Sequence, residues 1–266
     1  GKPKSLGVVY SPGWAPGLNF TLDWYNISLE NVITFRGTQA ILTACYGTPG
    51  TPGAAADPAQ RALFCSFVNR DGTGNIVDVR QSQFNLAKGE VEGYDLQVAY
   101  AIPETPFGRF TVQWDNTYST VNSLFGTVGQ YNGAPAWRLR SNLTATWRRG
   151  DWDATWAVRY YSGMDELCPF GPNYFEYGIS PTELCDHDVR DANGNILRYE
   201  NRIGARTYHD VQVGWKTPWN GKVSLGARNL FGTEPPITRN AFAHSFDAAY
   251  DLPGGGFFYL QYHQKF

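Results

Sequence analysis

Histidine is the side chain most suited to acid–base chemistry, and this sequence of 266 residues has four of them. His187 lies between Asp186 and Asp188, where a carboxylate could orient the imidazole for hydrolysis. The other histidines are scattered, at His209, His244 and His263. No Gly-x-Ser-x-Gly motif accompanies them, and a solvated polar loop explains the Asp-His-Asp triplet equally well. We expect no catalytic residue and no enzyme.

Metal binding is the second chemical possibility. The cysteines are Cys45, Cys65, Cys168 and Cys185. No C-x-x-C spacing or histidine cluster supports zinc. A motif of the form Arg-Asp-x-x-Gly-Asn-Ile occurs at 70–76 and again at 190–196. Its alternating oxygens resemble a calcium loop, but the full twelve-residue pattern and its terminal Glu are missing. The motif is typical of a hairpin turn, so we expect two turns, no metal and no cofactor.

Arginines occupy the polar side of segments in which polar and apolar residues alternate: Arg138, Arg140, Arg159 and Arg228. Guanidinium groups on one face could attract an anionic ligand. They could also be ordinary charges, balanced by acidic residues of similar segments, Asp115, Asp153 and Asp210. The sequence leaves both possibilities open, because the outcome depends on the elements that carry the arginines.

Those elements are predicted to be strands with two unlike faces. From Trp137 to Trp147, and from Trp152 to Tyr160, apolar residues alternate with Arg, Asn, Thr and Asp. The same period of two marks segments near 4–11, 18–25, 79–102, 110–115, 210–216, 223–228 and 258–266. We interpret 79–102 as one long strand rather than a hairpin at Lys88-Gly89, because its apolar residues keep one register. A short helix is predicted near Thr38–Ala44.

The composition favours a membrane wall made of strands. Aromatic residues make up 15% of the chain, yet charged residues are only 17% and the mean hydropathy is negative. A transmembrane helix needs about 20 consecutive apolar residues, and the sequence has no such run. In a transmembrane antiparallel β-barrel, alternate residues face lipid and water, with aromatic girdles at both interfaces. A net charge of −2 is unlike the strongly basic balance typical of nucleic-acid-binding domains.

The carboxy-terminal residues carry a resemblance to a known family. One face of the last segment holds Phe258, Leu260, Tyr262 and Phe266. Upstream lie Asn229-Leu230-Phe231-Gly232 and Tyr250-Asp251. Together they resemble the carboxy-terminal signature of TonB-dependent outer-membrane receptors, in which the four apolar residues act as an assembly signal. The family normally has an aromatic or aliphatic residue third from the end, where this chain has Gln264.

The strand count predicts a part of a larger barrel. The alternating segments make nine strands, whereas bacterial single-chain barrels have an even number, with short turns at the periplasm and long loops outside. Counting back from Phe266 at the periplasm puts every tight turn inside and both cysteine loops outside, so the first strand begins at the outer face. We expect residues 1–266 to form the carboxy-terminal strands of a larger all-β barrel. The resemblance implies a barrel of roughly 22 strands, with the plug domain outside this chain. The alternative count of ten would put the turn at Trp14 on the wrong side.

Both pairs of cysteines then lie in loops that face an oxidising exterior. This position favours local disulfides between Cys45 and Cys65 and between Cys168 and Cys185. Each would close a loop of roughly twenty residues, worth about 3 kcal/mol in the loop-entropy model. Crossed pairings stay open.

The resemblance implies an active importer in the outer membrane of a Gram-negative bacterium. Loops and plug would bind a scarce ligand (siderophore, cobalamin, glycan or peptide), and the TonB complex would supply energy through an amino-terminal part. The ligand or the plug would contact lumen-facing Arg138, Arg140, Arg159 and Arg228. Implied partners are the rest of the receptor chain, the TonB complex, outer-membrane lipid and the barrel assembly machinery. The alternatives are a passive porin and an outer-membrane hydrolase centred on His187.

Overall fold

The computed structural model describes residues 1–47, 58–123, 126–167, 185–241 and 245–264. These residues form mostly antiparallel strands, together with two short helices. The elements are β1 (Lys2–Tyr10), β2 (Leu18–Arg36), α1 (Thr38–Tyr46), α2 (Pro58–Cys65), β3 (Val68–Arg70), β4 (Ile76–Val79), β5 (Ser82–Thr105), β6 (Gly108–Asn122), β7 (Gln130–Tyr131), β8 (Leu139–Arg149), β9 (Trp152–Tyr161), β10 (Met164–Leu167), β11 (His187–Arg190), β12 (Ile196–Ile203), β13 (Arg206–Lys216), β14 (Gly221–Arg228) and β15 (Phe257–Gln264). Neither described helix is long and apolar enough to cross a membrane.

The main sheet contains nine of the described strands, in the order β1-β2-β5-β6-β8-β9-β13-β14-β15. Tight turns at 11–17, 106–107, 150–151 and 217–220 join neighbours at one end, which we call the short-turn end. Longer segments at 123–138, 162–205 and 229–256 make the connections at the opposite, long-loop end. The predicted count of nine strands is confirmed, and β5 is a single strand of 24 residues, as its register predicted.

Strand register gives the sheet one apolar face. From residues 93–102 of β5 to the end of β15, cross-strand partners keep the same alternation of faces. Leu143 lies opposite Val158, and Leu225 lies opposite Leu260. The exposed large side chains of this face include Trp114, Trp156, Val213, Leu225, Phe258, Leu260 and Tyr262. A broad exposed apolar face of this kind is what contact with lipid requires.

The other face of the sheet is polar. Asp115 lies opposite Asn142, and Ser224 lies opposite Gln261. Lys222, also on this face, makes an ion pair with Asp153 at 2.7 Å. Because these residues alternate with the apolar ones, the polar face is continuous across the same strands and is suited to water.

Two parts of the connection between β2 and β5 differ from the prediction. β2 runs for 19 residues to Arg36, past its predicted end near residue 31, because ladder pairing in a sheet does not require an apolar face. The segment 58–65, for which no element is predicted, is the helix α2. Its first residue, Pro58, occupies the one helical position at which the missing N–H costs nothing. The helix predicted near Thr38–Ala44 is confirmed as α1.

The long segment 162–205 is more ordered than predicted. It contains β10, β11 and β12, which form a four-stranded sheet with β7 in the order β11-β12-β10-β7. We call this the small sheet. β10 lies parallel to β7 and antiparallel to β12. β7, β10 and β11 have only two to four residues each, too few for period-two hydrophobicity to reveal them.

The chain divides into two compact units, the first made of Gly1 and residues 28–89. Within this unit the Cys45–Cys65 disulfide joins α1 to α2, with Cα atoms 4.8 Å apart. Ile41 and Phe64 are fully buried beside it. The predicted bridge is confirmed. Cys185, in the second unit, is also disulfide-bonded, and its predicted partner Cys168 lies outside the described residues.

The two Arg-Asp-x-x-Gly-Asn-Ile motifs form hairpin turns of the same kind. One lies between β3 and β4, and the other lies between β11 and β12. In the first, Asp71 Oδ1 accepts the backbone N–H groups of Thr73 and Asn75, each at 2.9 Å. In the second, Asp191 Oδ1 accepts the two equivalent N–H groups at 2.9 and 2.8 Å. The glycine of each turn is left-handed, with φ of 92° and 86°. The prediction of turns is confirmed.

Acid should loosen both turns. Hydrogen bonds, above all those from the side chains of Thr73 and Asn195, hold the pKa of Asp71 and of Asp191 below its usual value. A carboxyl whose folded pKa is lowered adds stability above its unfolded pKa of about 3.9, and this is lost as pH falls through the folded value. Hydrogen exchange should show falling protection at both turns over that range. In Asp191→Asn the second turn should lose its pH dependence and the first should keep it; pH-independent protection in the unmodified protein would contradict the idea.

The two faces of the sheet should respond oppositely to charge. Leu260→Arg places a guanidinium on the apolar face and should destabilise the protein in lipid vesicles by about 2–4 kcal/mol. The matched control, Gln261→Arg, lies one residue away on the polar face and should cost less than about 1 kcal/mol. Denaturant unfolding in vesicles measures both values. Equal costs would show that this face does not meet lipid.

Candidate functional site

A single arginine joins two carboxylates at the long-loop end of the polar face. Arg159 on β9 donates to both oxygens of Asp210 on β13, at 3.0 and 3.2 Å. It donates to both oxygens of Asp251, in the segment before β15, at 2.9 and 2.6 Å. Bidentate arginine–carboxylate pairs are the strong, orienting kind of hydrogen bond. The guanidinium therefore ties two strands of the main sheet to the 229–256 segment.

The residues of the carboxy-terminal signature meet at this arginine. The backbone N–H of Asn229 donates to Asp210 Oδ1 at 2.8 Å. Asn229 itself is buried in the left-handed region, with φ of 52°, and its side chain bonds both the N–H and the C=O of Thr233. Arg228 donates to Asp251 at 3.2 Å from an exposed position. The motif thus shapes the turn that leaves β14 and anchors it.

Burial and charge oppose each other at Asp251. Burial alone would raise the pKa of this carboxyl, but the hydrogen bonds and charges of Arg159 and Arg228 lower it below its usual value. Asp251 is therefore ionised at neutral pH, as a fixed anion held between two guanidinium groups.

An aromatic cluster lies next to the arginine. Its buried members are Tyr131, Met164, Ile203, Tyr208 and Tyr250, with Trp137 and Tyr161 packed against them. Trp137 Nε1 donates to the Tyr250 hydroxyl at 2.8 Å, and the guanidinium of Arg159 lies 5.1 Å from the centre of the Tyr208 ring. The cluster joins residues of β7, β9, β10, β12 and β13, and Trp137 just before β8, to the 229–256 segment. It is the packed core of the long-loop end.

A buried glutamate makes a second attachment for the same segment. Glu166 of the small sheet is 1% exposed. Its Oε1 accepts the backbone N–H groups of Arg239 and Asn240, both at 2.7 Å. Tyr131, also in the small sheet, donates to Asp247 at 2.8 Å. The small sheet and the 229–256 segment are therefore fastened to each other by charged and polar bonds.

Two open clefts lie beside this core, each with a volume of about 550 Å³. The first is lined by residues that include Gln130, Arg138, Asp165 and Arg202, and the second by residues that include Asn122, Gln130 and Arg138. Arg138 is therefore shared by both clefts. Arg140 lies on the polar face with its guanidinium 5.8 Å from the ring of Trp137.

The structure separates the four predicted arginines into different roles. Arg159 and Arg228 come together through Asp251, Arg138 borders the clefts, and Arg140 contacts the aromatic cluster. Of the predicted balancing acids, Asp210 pairs with an arginine while Asp153 pairs with Lys222. Whether any of these arginines contacts a ligand or a plug stays a prediction.

The Asp-His-Asp triplet is engaged in structure. Asp186 accepts the backbone N–H of Arg202 at 2.7 Å. His187 lies 3.5 Å from Glu200, and Asp188 pairs with Arg190. These contacts tie the triplet into the small sheet and its hairpin.

The predicted assembly-signal residues lie on the apolar face as expected, with Phe258, Leu260 and Tyr262 all exposed; Phe266 lies outside the described residues. Gln264, the departure from the family pattern, fastens β15 to the neighbouring tight turn. Its Nε2 donates to the carbonyl of Trp219 at 3.0 Å, and it is hydrogen-bonded to the Tyr262 hydroxyl. The glutamine thus replaces an apolar contact with polar ones.

Comparisons with known proteins agree on the fold. The family described as TonB dependent receptor-like, β-barrel, matches residues 3–230. No curated protein matches the chain in sequence.

Several solved structures are similar to the chain. They include the siderophore receptor PirA from Acinetobacter baumannii (TM-score 0.53, 15% identity, 98% of this chain and 31% of that one). A variant of the ferric enterobactin receptor PfeA from Pseudomonas aeruginosa, in complex with enterobactin, gives a TM-score of 0.54 at 15% identity, over 98% and 31% of the two chains. The FrpB iron transporter from Neisseria meningitidis gives 0.51 at 14% identity, over 99% and 31%. The chain spans about a third of the length of these proteins, and at such identities the likeness shows the fold alone.

Removing Arg159 should weaken the protein far more than removing Arg228. Both contact Asp251, but the Arg159 side chain is 19% exposed and that of Arg228 is 62% exposed. Arg159→Met leaves two carboxylates without their shared cation and should cost about 3 kcal/mol. Arg228→Met should cost less than about 1 kcal/mol. Unfolding in lipid vesicles measures both, and in the Asp251→Asn background the cost of Arg159→Met should shrink. Similar losses of unfolding free energy in the two variants would show that Arg159 is not the main cross-link of this network.

Proposed function

This chain belongs to the TonB-dependent receptor-like β-barrel family, and we propose that it supplies the wall and outer loops of an active importer. Proteins of this family lie in the bacterial outer membrane and are transporters and receptors, so this chain is an outer-membrane protein and not an enzyme. The imported compound is a scarce ligand, and the energy for its passage comes from TonB.

The observation that carries this proposal is the two-faced register of the main sheet, which holds from residues 93–102 of β5 to the end of β15. The apolar face meets lipid and the polar face meets the lumen. The short-turn end lies at the periplasm, and the long-loop end, with its clefts and aromatic core, lies outside. Ligands of such a receptor arrive at the long-loop end, where ion pairs and the aromatic cluster hold the side chains in place.

The edges of the main sheet support a larger barrel. Among the strands that the structure describes, β1 and β15 each pair with one neighbour. An unpaired strand edge within lipid leaves backbone N–H and C=O groups without partners, at a cost of several kcal/mol for each group. Further strands of the same receptor would pair with these edges and close the barrel. The plug would then fill a lumen whose wall includes Arg140 and Arg159.

Arg138 is the residue we assign to ligand contact. It borders both clefts at the outer end, and its charge favours an anionic ligand. PirA, PfeA and FrpB are a siderophore receptor, a ferric enterobactin receptor and an iron transporter, and this supports a chelated metal as the cargo. The further partners we propose are the TonB complex, which acts through the plug, and the barrel assembly machinery, which reads the last strand.

Uptake by cells that carry the receptor tests this function. Radio-iron-loaded siderophores and labelled cobalamin, glycans and peptides are the probes. One of them should accumulate in a manner abolished by a protonophore and by loss of TonB, whereas a passive porin would keep its flux in both cases. Accumulation that survives both treatments would overturn the proposal of active import.

The same assay tests Arg138. Arg138→Gln should raise the apparent KM for the anionic ligand about tenfold, with unchanged amounts of receptor in the outer membrane. The matched control is Arg109→Gln, at the short-turn end, where the side chain pairs with Glu104 and both groups are exposed. An unchanged KM in Arg138→Gln would remove this residue from the ligand site and leave active import untouched.

A further inference from the structure

Three side chains that can bind a metal meet on the small sheet. Asp165 lies on β10, His187 on β11 and Glu200 on β12, and one ligand atom of each lies within 4.8 Å of the others. We propose that these residues form a binding site for a divalent transition-metal ion of the zinc class. The site concerns the small sheet alone and holds whether or not the receptor imports the ligand proposed above.

Strand pairing, rather than loop conformation, sets the spacing of the three residues. His187 lies directly opposite Glu200 across β11 and β12. Asp165 lies opposite Arg202, two residues along β12 from Glu200. Residues two apart on a strand point to the same face, so all three side chains rise from one face of the sheet. A site built on paired strands is held more rigidly than a site built on a loop.

The distances suit shared coordination. His187 Nε2 lies 3.5 Å from Glu200 Oε2. Two ligand atoms that are each about 2.0–2.1 Å from a tetrahedral zinc ion are roughly 3.4 Å apart. The His187–Glu200 pair therefore already has the separation of two ligands of one ion. A carboxylate oxygen of Asp165, within 4.8 Å of both, is the third member of the set.

The donor types select the class of metal. One imidazole nitrogen and two carboxylate oxygens suit zinc and the neighbouring divalent transition metals. Calcium and magnesium prefer oxygen ligands alone, whereas copper(I) and iron–sulfur clusters require sulfur. Three protein ligands leave a fourth position for water or for a donor atom of a larger compound.

An ion can reach this site from outside. The side chain of Glu200 is 8% exposed and that of His187 is 36% exposed, so the site is open on the side of the histidine. Asp165 lies on the wall of the first cleft, which provides a route from outside. Arg202 lies opposite Asp165 on the same face.

Calorimetric titration of the intact receptor in detergent with Zn²⁺, after removal of any polyhistidine tag, tests the site. One equivalent should bind saturably, and Co²⁺ in its place should give visible absorption bands typical of a nitrogen–oxygen site. His187→Ala and Asp165→Asn should each weaken Zn²⁺ binding by at least about 100-fold, since loss of an outer partner alone costs 10–100-fold. Zn²⁺ should also raise the unfolding temperature of the unmodified protein.

Asp188→Asn is the matched control, because residue 188 adjoins His187 on β11 and points to the opposite face. It should bind Zn²⁺ as the unmodified receptor does. If one variant does not fold, the other still decides the question, since they lie on different strands. No saturable binding, equal binding by the two ligand variants (adventitious zinc only), or an equal loss in Asp188→Asn would each overturn the proposal.

Discussion

The main sheet depends on one constraint, which is that backbone groups in lipid have no water to bind. Every strand must pair along its length, and pairing in turn fixes which side chains face lipid. A slip of one residue would turn Leu260 and its partners toward the lumen and send Arg159 into the hydrocarbon. The register from residue 93 to residue 264 is therefore inseparable from the chemistry of each face. It also decides where polar networks can exist.

Arg159 is the point at which the wall and the outer segments become one structure. Asp210 and Asp251 would repel each other at this distance, and the guanidinium between them turns that repulsion into a cross-link. The signature that ends with Tyr250-Asp251 acquires a physical meaning here: Tyr250 receives the Trp137 indole N–H, and Asp251 receives Arg159. The motif determines how the 229–256 segment packs against the wall, and it carries no information about the ligand.

Sequence alone predicted the features that depend on near neighbours. Alternation predicted the nine strands, and Asp-x-x-Gly-Asn predicted the two turns. The position of Cys45 and Cys65 in one predicted outer loop favoured their bridge. Asp210 was among the predicted balancing acids, but Asp251, the second partner of Arg159, was not predicted, because it lies 92 residues away along the chain. The small sheet was also missed, since β10 pairs in parallel with a two-residue strand and neither has a periodic pattern. Side chains such as Glu166 come together only after folding, so no local pattern contains them.

The Cys45–Cys65 disulfide has a consequence for the biogenesis of the protein. Its cysteines are only 20 residues apart, and both helices that it joins lie close together in the sequence. The cross-link needs no distant strand and can close while the rest of the chain is still extended in the oxidising periplasm. The insertion machinery would then have to carry a compact, disulfide-linked pair of helices across the membrane instead of an extended chain. Its opening must therefore be wide enough for a folded segment.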